Sequence, residues 1–161
     1  MVQKKRILKV SPFDDLCIIG ISSTAKDYKL AWHLNQDLKL DLKKMQGLDL
    51  PDRNNGVFSF YYFDEGENLN VFNLVQNHSD GQRMLNFNIP TDFLLIIRNP
   101  VPENRYDHII SSTRKIPGVV MAFNIDIDEN KQIDPILEMI EFHEFNLLRD
   151  QMPKRLQHRV G

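Results

Sequence analysis

The sequence predicts an α+β fold, in which helices pack on one face of an antiparallel or mixed sheet. The first observation is a β-α-β pattern: residues 93–97 form an apolar run of strand length, residues 106–113 have helical periodicity, and residues 119–127 are again rich in strand formers. The second is a pair of strand-like segments, 57–63 and 69–75, which a short polar loop separates. This spacing is typical of an antiparallel hairpin.

The helix in the β-α-β pattern has a defined apolar side and a defined end. Its inward side chains recur at i, i+3, i+4 and i+7: Tyr106, Ile109, Ile110 and Thr113. Pro117 restricts the residue before it to extended backbone, and Gly118 provides the permissive φ angle that a C-terminal turn needs. We therefore expect the helix to end by Ile116.

A strand followed by a helix opens the predicted domain. Residues 16–21 form a near-continuous apolar run, as expected of a strand that is covered on both faces. Thr24 and Asp27 match a capping box, in which the threonine accepts from the first turn and the acidic side chain reaches back. The helix that follows is predicted to present one wide apolar stripe: Tyr28, Leu30, Ala31, Trp32, Leu34 and Leu38.

The turn between this strand and this helix is the candidate ligand-binding site. Ser22, Ser23 and Thr24 have small side chains and precede a helix, whose first amide groups lack partners within the helix and favour negative charge. A ligand carboxylate could therefore approach the backbone closely. The capping role of Thr24 opposes this interpretation, because a capped terminus offers fewer amides.

Residues 1–150 are expected to form a single domain, with residues 151–161 as a disordered basic tail. Asp134 and Pro135 are typical of a helix start. The predicted helix extends to about Arg149 through apolar and aromatic positions: Ile136, Met139, Ile140, Phe142, His143 and Leu147. The tail carries three cations around Pro153: Lys154, Arg155 and Arg159.

The composition predicts a cytoplasmic globular protein. Of its 161 residues 42% are hydrophobic and 26% are charged, which fits one domain of ordinary size. The net charge of −2 does not favour a polyanionic partner such as DNA. The single cysteine, Cys17, excludes an intrachain disulfide and favours a reducing compartment. No apolar run approaches the ~18 residues that a membrane span needs.

No set of residues matches a known catalytic or metal-binding pattern. The candidate acid-base groups are dispersed over separate predicted elements: His33, His78, His108, His143 and the carboxylates. Residues 78–80 combine histidine, serine and aspartate, but consecutive residues on a turn cannot form the relay of a catalytic triad. Residues 126–130 begin like a calcium loop, and the later positions do not continue it. We therefore predict no catalytic residue, metal ion or cofactor.

Four segments carry a resemblance to a known family: residues 21–23, residues 26–35, residues 92–96 and residues 116–126. Together they resemble the bacterial IPExxVDY family over residues 16–128. The naming motif fits Ile89 to Phe93 with the glutamate and its neighbours absent, or Val101 to His108 with a different ending. The first placement is preferred, because the aspartate and the aromatic residue lead into the apolar strand. The resemblance implies no catalytic residues.

The order strand, helix, strand pair, strand, helix, strand is similar to the split β-α-β arrangement of ferredoxin-like domains. Residues 116–120 look like the second half of an ACT-type regulatory domain. In ACT-type domains the turn after the first strand lies at the effector site, which corresponds here to residues 20–24. This resemblance therefore implies the same candidate position as the residues themselves.

These observations favour a non-catalytic cytoplasmic module that binds a protein partner or a small ligand. We expect a homodimer that forms through a sheet edge or a helix face, because an open sheet needs its edges covered. One alternative is an enzyme whose site is assembled only in the fold. The other is weak nucleic-acid binding through the basic termini, which include Lys4, Lys5 and Arg6.

Overall fold

A computed structural model describes residues 15–50, 56–67 and 69–150, and these form a mixed α+β fold. The strands, in chain order, are β1 (Leu16–Ser23), β2 (Lys43–Lys44), β3 (Leu48–Leu50), β4 (Gly56–Phe58), β5 (Phe60–Asp64), β6 (Val71–Gln76), β7 (His78–Ser79), β8 (Gln82–Arg83), β9 (Phe93–Arg98) and β10 (Val119–Ile125). The helices are α1 (Asp27–Leu38), α2 (Glu103–Arg114) and α3 (Asp134–Asp150), and a short 3-10 helix, Lys131–Ile133, precedes α3. The predicted tail, 151–161, and the N-terminal cations lie outside the described residues.

Six strands form the main sheet in the order β10-β1-β9-β6-β5-β2, and each is antiparallel to its neighbours. The pairs β3–β4 and β7–β8 form separate two-stranded sheets. In the described part of the chain, no helix is long and apolar enough to cross a membrane. The predicted hairpin of residues 57–63 and 69–75 is confirmed in part as the antiparallel pair β5–β6, whereas the start of its first strand belongs to β4, which pairs with β3.

The predicted β-α-β unit is confirmed as β9, α2 and β10. Both strands are antiparallel to β1, which lies between them, so they run parallel to each other and α2 crosses over β1. The helix ends at Arg114, and Gly118 has a φ of 93° in the turn that leads into β10. Glycine adopts this left-handed conformation without the steric cost that other residues incur.

The prediction that the helices pack on one face of the sheet is wrong. Helices α1 and α2 cover one face, which includes Ile19 and Leu95, whereas α3 covers the opposite face, which includes Ile18 and Ile96. Neighbouring residues of a strand point to opposite faces of the sheet. Ile18 and Ile19 of β1 are both buried, as are Leu95 and Ile96 of β9, so both faces of these strands are covered. The near-continuous apolar runs of β1 and β9 are the sequence signal of this two-sided burial.

Helix α1 differs from its prediction at its start and on its surface. Lys26 is the N-cap residue and no side chain caps the helix, so the predicted capping box is wrong. Asp27 instead accepts a hydrogen bond from Tyr61 at 3.0 Å. The buried residues are Leu30, Ala31, Leu34 and Leu38, while two members of the predicted stripe are exposed: Tyr28 and Trp32.

An ion pair joins the β5–β6 hairpin to the first turn of α2. Two nitrogens of the Arg105 guanidinium donate to the two carboxylate oxygens of Glu65, at 2.9 and 2.6 Å. Arg105 also donates to Asn70, whose side-chain nitrogen donates to the backbone carbonyls of residues 98–100. Hydrogen bonds from Arg105 lower the pKa of Glu65 below its usual value, although its partial burial acts in the opposite direction.

This pair predicts a loss of stability in acid. A carboxyl group whose pKa is lower in the folded state stabilises the fold above its unfolded pKa, and that contribution disappears as the pH falls through the folded pKa. We expect the free energy of unfolding to decrease below a pH of about 4.3, the ordinary glutamate pKa, and Glu65→Gln to flatten this decrease. Urea unfolding at a series of pH values measures both. An unchanged pH dependence in the variant would contradict the assignment, with Glu67→Gln as the control in the same loop.

Candidate functional site

Three segments that are distant in sequence meet at one corner of the molecule, formed by residues 22–25, Asp92 and Gly118. The amide of Ser23 donates to a carboxylate oxygen of Asp92 at 2.8 Å. The amide of Thr24 donates to the carbonyl of Gly118 at 2.9 Å. Ser23, Asp92 and Gly118 lie in three of the segments that carry the family resemblance, and Thr24 directly follows the first of them. We call this arrangement the β1–α1 corner.

The β1–α1 corner contains the predicted ligand-binding residues Ser22, Ser23 and Thr24. Ser22 pairs with Met121 within the sheet. The amides of the next three residues have partners inside the protein, since Ala25 donates to the hydroxyl of Ser23 at 3.0 Å in addition to the two bonds above. Asp92 thus occupies the position that an incoming carboxylate was expected to take at Ser23. Ligand binding at these residues stays a prediction, and a ligand at Ser23 would have to displace Asp92.

Two side chains of the β7–β8 hairpin approach Asp92. One carboxylate oxygen lies 3.8 Å from Nε2 of His78 and 3.7 Å from Nη2 of Arg83. Among the described residues no hydrogen bond joins Ser23 to His78, so serine, histidine and aspartate do not form a catalytic relay here. The predicted turn at residues 80–81 is confirmed, with φ angles of 50° at Asp80 and 81° at Gly81.

Asn77 holds this region together, and sequence reasoning did not identify it. The side chain is fully buried, and its nitrogen donates to the carbonyls of Leu85 at 2.9 Å and Thr91 at 2.8 Å. Its side-chain oxygen accepts from the amide of Leu85 at 3.0 Å. One asparagine therefore connects the β7–β8 hairpin to the segment that carries Asp92. The only sequence signal was the place of this asparagine two residues after the strand-like run 69–75.

The other three candidate histidines lie in three different helices. His33 is in α1 and His108 is in α2, while Nε2 of His143, in α3, lies 2.7 Å from the backbone oxygen of Gln46. In the described ranges no group of three or more His, Cys, Asp or Glu side chains could hold a metal ion. The histidines are therefore separate features of the fold.

A pocket of about 350 Å³ lies where β1 begins and α2 starts. It is lined by Asp15, Leu16, Cys17, Asn99, Pro100, Val101, Glu103 and Tyr106. Burial raises the pKa of the Cys17 thiol to about 11 and contributes most to raising the pKa of Tyr106 to about 12. Both groups stay protonated at neutral pH, so Cys17 does not have the thiolate character of a catalytic nucleophile.

The two edges of the six-stranded sheet have opposite chemistry. Strand β2 has two residues, Lys43 and Lys44, and both are exposed. Strand β10 has seven residues with the sequence VVMAFNI, without a charge or a proline. Val120 is 70% exposed and Met121 is 43% exposed. Short, lysine-bearing edges resist pairing with other chains, whereas a long apolar edge favours such pairing.

Comparison with known proteins adds no assignment: no family model, no curated protein and no solved structure matches this chain.

Proposed function

We propose that this chain is a non-catalytic interaction module that forms a homodimer, in which β10 pairs with the β10 strand of a second copy. The observation that carries the proposal is the exposed, uncharged edge of β10 beside a β2 edge that carries two lysines. If both edge strands served only to end the sheet, both would be expected to carry charge or proline among their own residues. The difference between the two strands supports a pairing role for β10.

The backbone of β10 is suited to accept another strand. The carbonyl of Ile21 accepts a hydrogen bond from the amide of Asp92, the residue before β9. The N–H and C=O groups of Ile21 therefore face β9 rather than β10. Ile21 lies opposite Ala122, so these two residues form a non-hydrogen-bonded pair of the ladder between β1 and β10. It follows that the N–H and C=O groups of Ala122 and Asn124 point to the free edge, where a second strand would bind.

A second copy fits this edge because antiparallel pairing of a strand with itself has twofold symmetry. An isologous contact presents the same surface twice, so every unpaired donor of one β10 meets an acceptor of the other. The contact would also remove Val120 and Met121 from water, and apolar burial is the dominant favourable term in most protein association. The sheet would continue through the dimer axis as twelve strands.

The strand order also supports the proposed ferredoxin-like arrangement. Within the main sheet, β10-β1-β9-β6 corresponds to the order 4-1-3-2 of a β-α-β-β-α-β unit, and β5 and β2 extend it. The resemblance of residues 21–23, 26–35, 92–96 and 116–126 is the basis for membership of the IPExxVDY family. We propose both on this basis, and neither implies a chemical reaction.

A charge on β10 is expected to abolish self-association. Wild type should be a dimer at tens of micromolar, and Val120→Lys should be a monomer, because its edge would then resemble that of β2. Size-exclusion chromatography with light scattering measures the mass of each. Val57→Lys is the matched control, since Val57 is 54% exposed in β4 and lies outside the main sheet. A monomeric wild type, or equal dimerisation of all three proteins, contradicts the proposal.

The nucleic-acid alternative depends on basic residues outside the described ranges. For the enzyme alternative the described residues offer His78 and Asp92, 3.8 Å apart, without a hydrogen bond from Ser23 to the histidine. A salt-dependent gel shift that disappears when the chain is cut after Met152 would favour nucleic-acid binding.

A further inference from the structure

One side chain of the protein already occupies part of the β10 edge. Nε of Arg114, in the last turn of α2, donates to the carbonyl of Ala122 at 2.9 Å. That carbonyl points to the free edge, as the pairing of Ile21 requires. Arg114 is exposed, so its guanidinium reaches the edge from the solvent side rather than from the core.

We propose that Arg114 is a removable cap that sets the affinity with which β10 pairs with a second copy. This inference rests on the proposed function. Ala122 lies in the middle of β10, so any strand that pairs along the whole edge needs its carbonyl. The incoming N–H must either displace Arg114 or share the oxygen with it, and the guanidinium must move aside to make room for the second backbone. The cap therefore weakens dimerisation and protects the monomer from unspecific pairing.

The chemistry of the cap is that of edge protection by a charged side chain. Charges at a strand edge disfavour association because pairing would remove them from water. On β2 the protection comes from the strand itself, through Lys43 and Lys44. On β10 it comes from a neighbouring helix, and a side chain from another element can rotate away without disturbing the ladder between β10 and β1.

The test is the dimer dissociation constant, measured by sedimentation velocity for wild type, Arg114→Ala and Lys115→Ala. Lys115 is the next residue and is also exposed, so its variant removes the same charge without touching Ala122. We expect Arg114→Ala to lower the dimer dissociation constant roughly tenfold. The net contribution of one hydrogen bond changes an equilibrium constant by a factor of about two to ten, and each dimer has two caps to displace. Lys115→Ala should change it less than twofold.

A double variant separates failure of the cap from failure of the interface. Arg114→Ala/Val120→Lys should be monomeric, because the charge at residue 120 blocks the edge that the first change exposes. If Arg114→Ala and Lys115→Ala behave alike while Val120→Lys still dissociates wild type, the cap is wrong and the β10 dimer stands. If Arg114→Ala tightens a dimer that Val120→Lys does not affect, the association lies elsewhere and both proposals are overturned.

Discussion

Replacing Glu144 by alanine is expected to destabilise the protein by about 3 kcal/mol, the order observed when one partner of a buried ion pair is removed. Glu144 is buried in α3, and its carboxylate accepts from Nη2 of Arg98 at 2.6 Å and from the side-chain nitrogen of Asn73 at 3.1 Å. Without Glu144 the guanidinium of Arg98, whose Nε has no hydrogen-bond partner in the described part of the chain, would remain under α3 with an uncompensated charge.

Urea unfolding at neutral pH measures this loss, with Glu141→Ala as the control. Glu141 is an exposed acidic residue of the same helix, and its replacement should change the free energy of unfolding by less than about 0.5 kcal/mol. Arg98→Leu/Glu144→Leu should be more stable than Glu144→Ala, because it removes both charges together. If the double variant is the less stable protein, the loss in Glu144→Ala does not come from an unpaired Arg98.

Asn77→Ala is expected to cost about 3 kcal/mol, because it removes three hydrogen bonds to buried backbone groups at once. Two of these bonds satisfy the carbonyl and the amide of Leu85, and the third goes to the carbonyl of Thr91, which keeps a second donor in Arg83. The truncation also leaves a cavity where a fully buried side chain stood. Since Thr91 precedes Asp92, we further expect the β1–α1 corner to loosen.

Thermal unfolding gives the size of the first effect, and hydrogen exchange at the amide of Ser23 gives the second. That amide donates to Asp92, so its protection should fall in Asn77→Ala by more than the global loss of stability explains. Asn88→Ala, a change at an exposed asparagine of the same segment, serves as the reference. Equal stability of the two variants would show that Asn77 does not hold the hairpin.

The elements of the fold could be predicted because each has a local signal. The apolar run of β9, the periodicity of α2 and the Pro117-Gly118 pair together define the β-α-β unit within a few residues. The position of α3 could not be predicted in this way, because the face of a sheet on which a helix packs depends on contacts between distant residues. The near-continuous apolar run of β1 indicated that both faces of the sheet are covered, whereas the element order suggested helices on one face. The structure agrees with the apolar run.

The turn at the candidate site could be predicted from the sequence, but the hydrogen-bond partners of its residues could not. Small residues at 22–24 marked the turn, yet the partner of Ser23 is 69 residues away in sequence, and no local pattern indicates that Asp92 lies there. The same reason explains the wrong capping box, since Asp27 bonds to Tyr61 of a distant strand instead of to its own helix. Similarly, residues 119–127 were predicted as a strand, but only the sheet order reveals that this strand is an edge.

The unequal edges of the main sheet also determine where assembly would stop. If both edges could pair with other strands, β10 of one copy could pair with β2 of the next. Such a heterologous contact can add subunits without limit and form a filament. The lysines of β2 oppose that contact. In the proposed twofold dimer the two β10 strands pair with each other, and the outer edges of the combined sheet are the two β2 strands. Assembly would therefore stop at two copies, and the product would be a finite complex rather than a fibre.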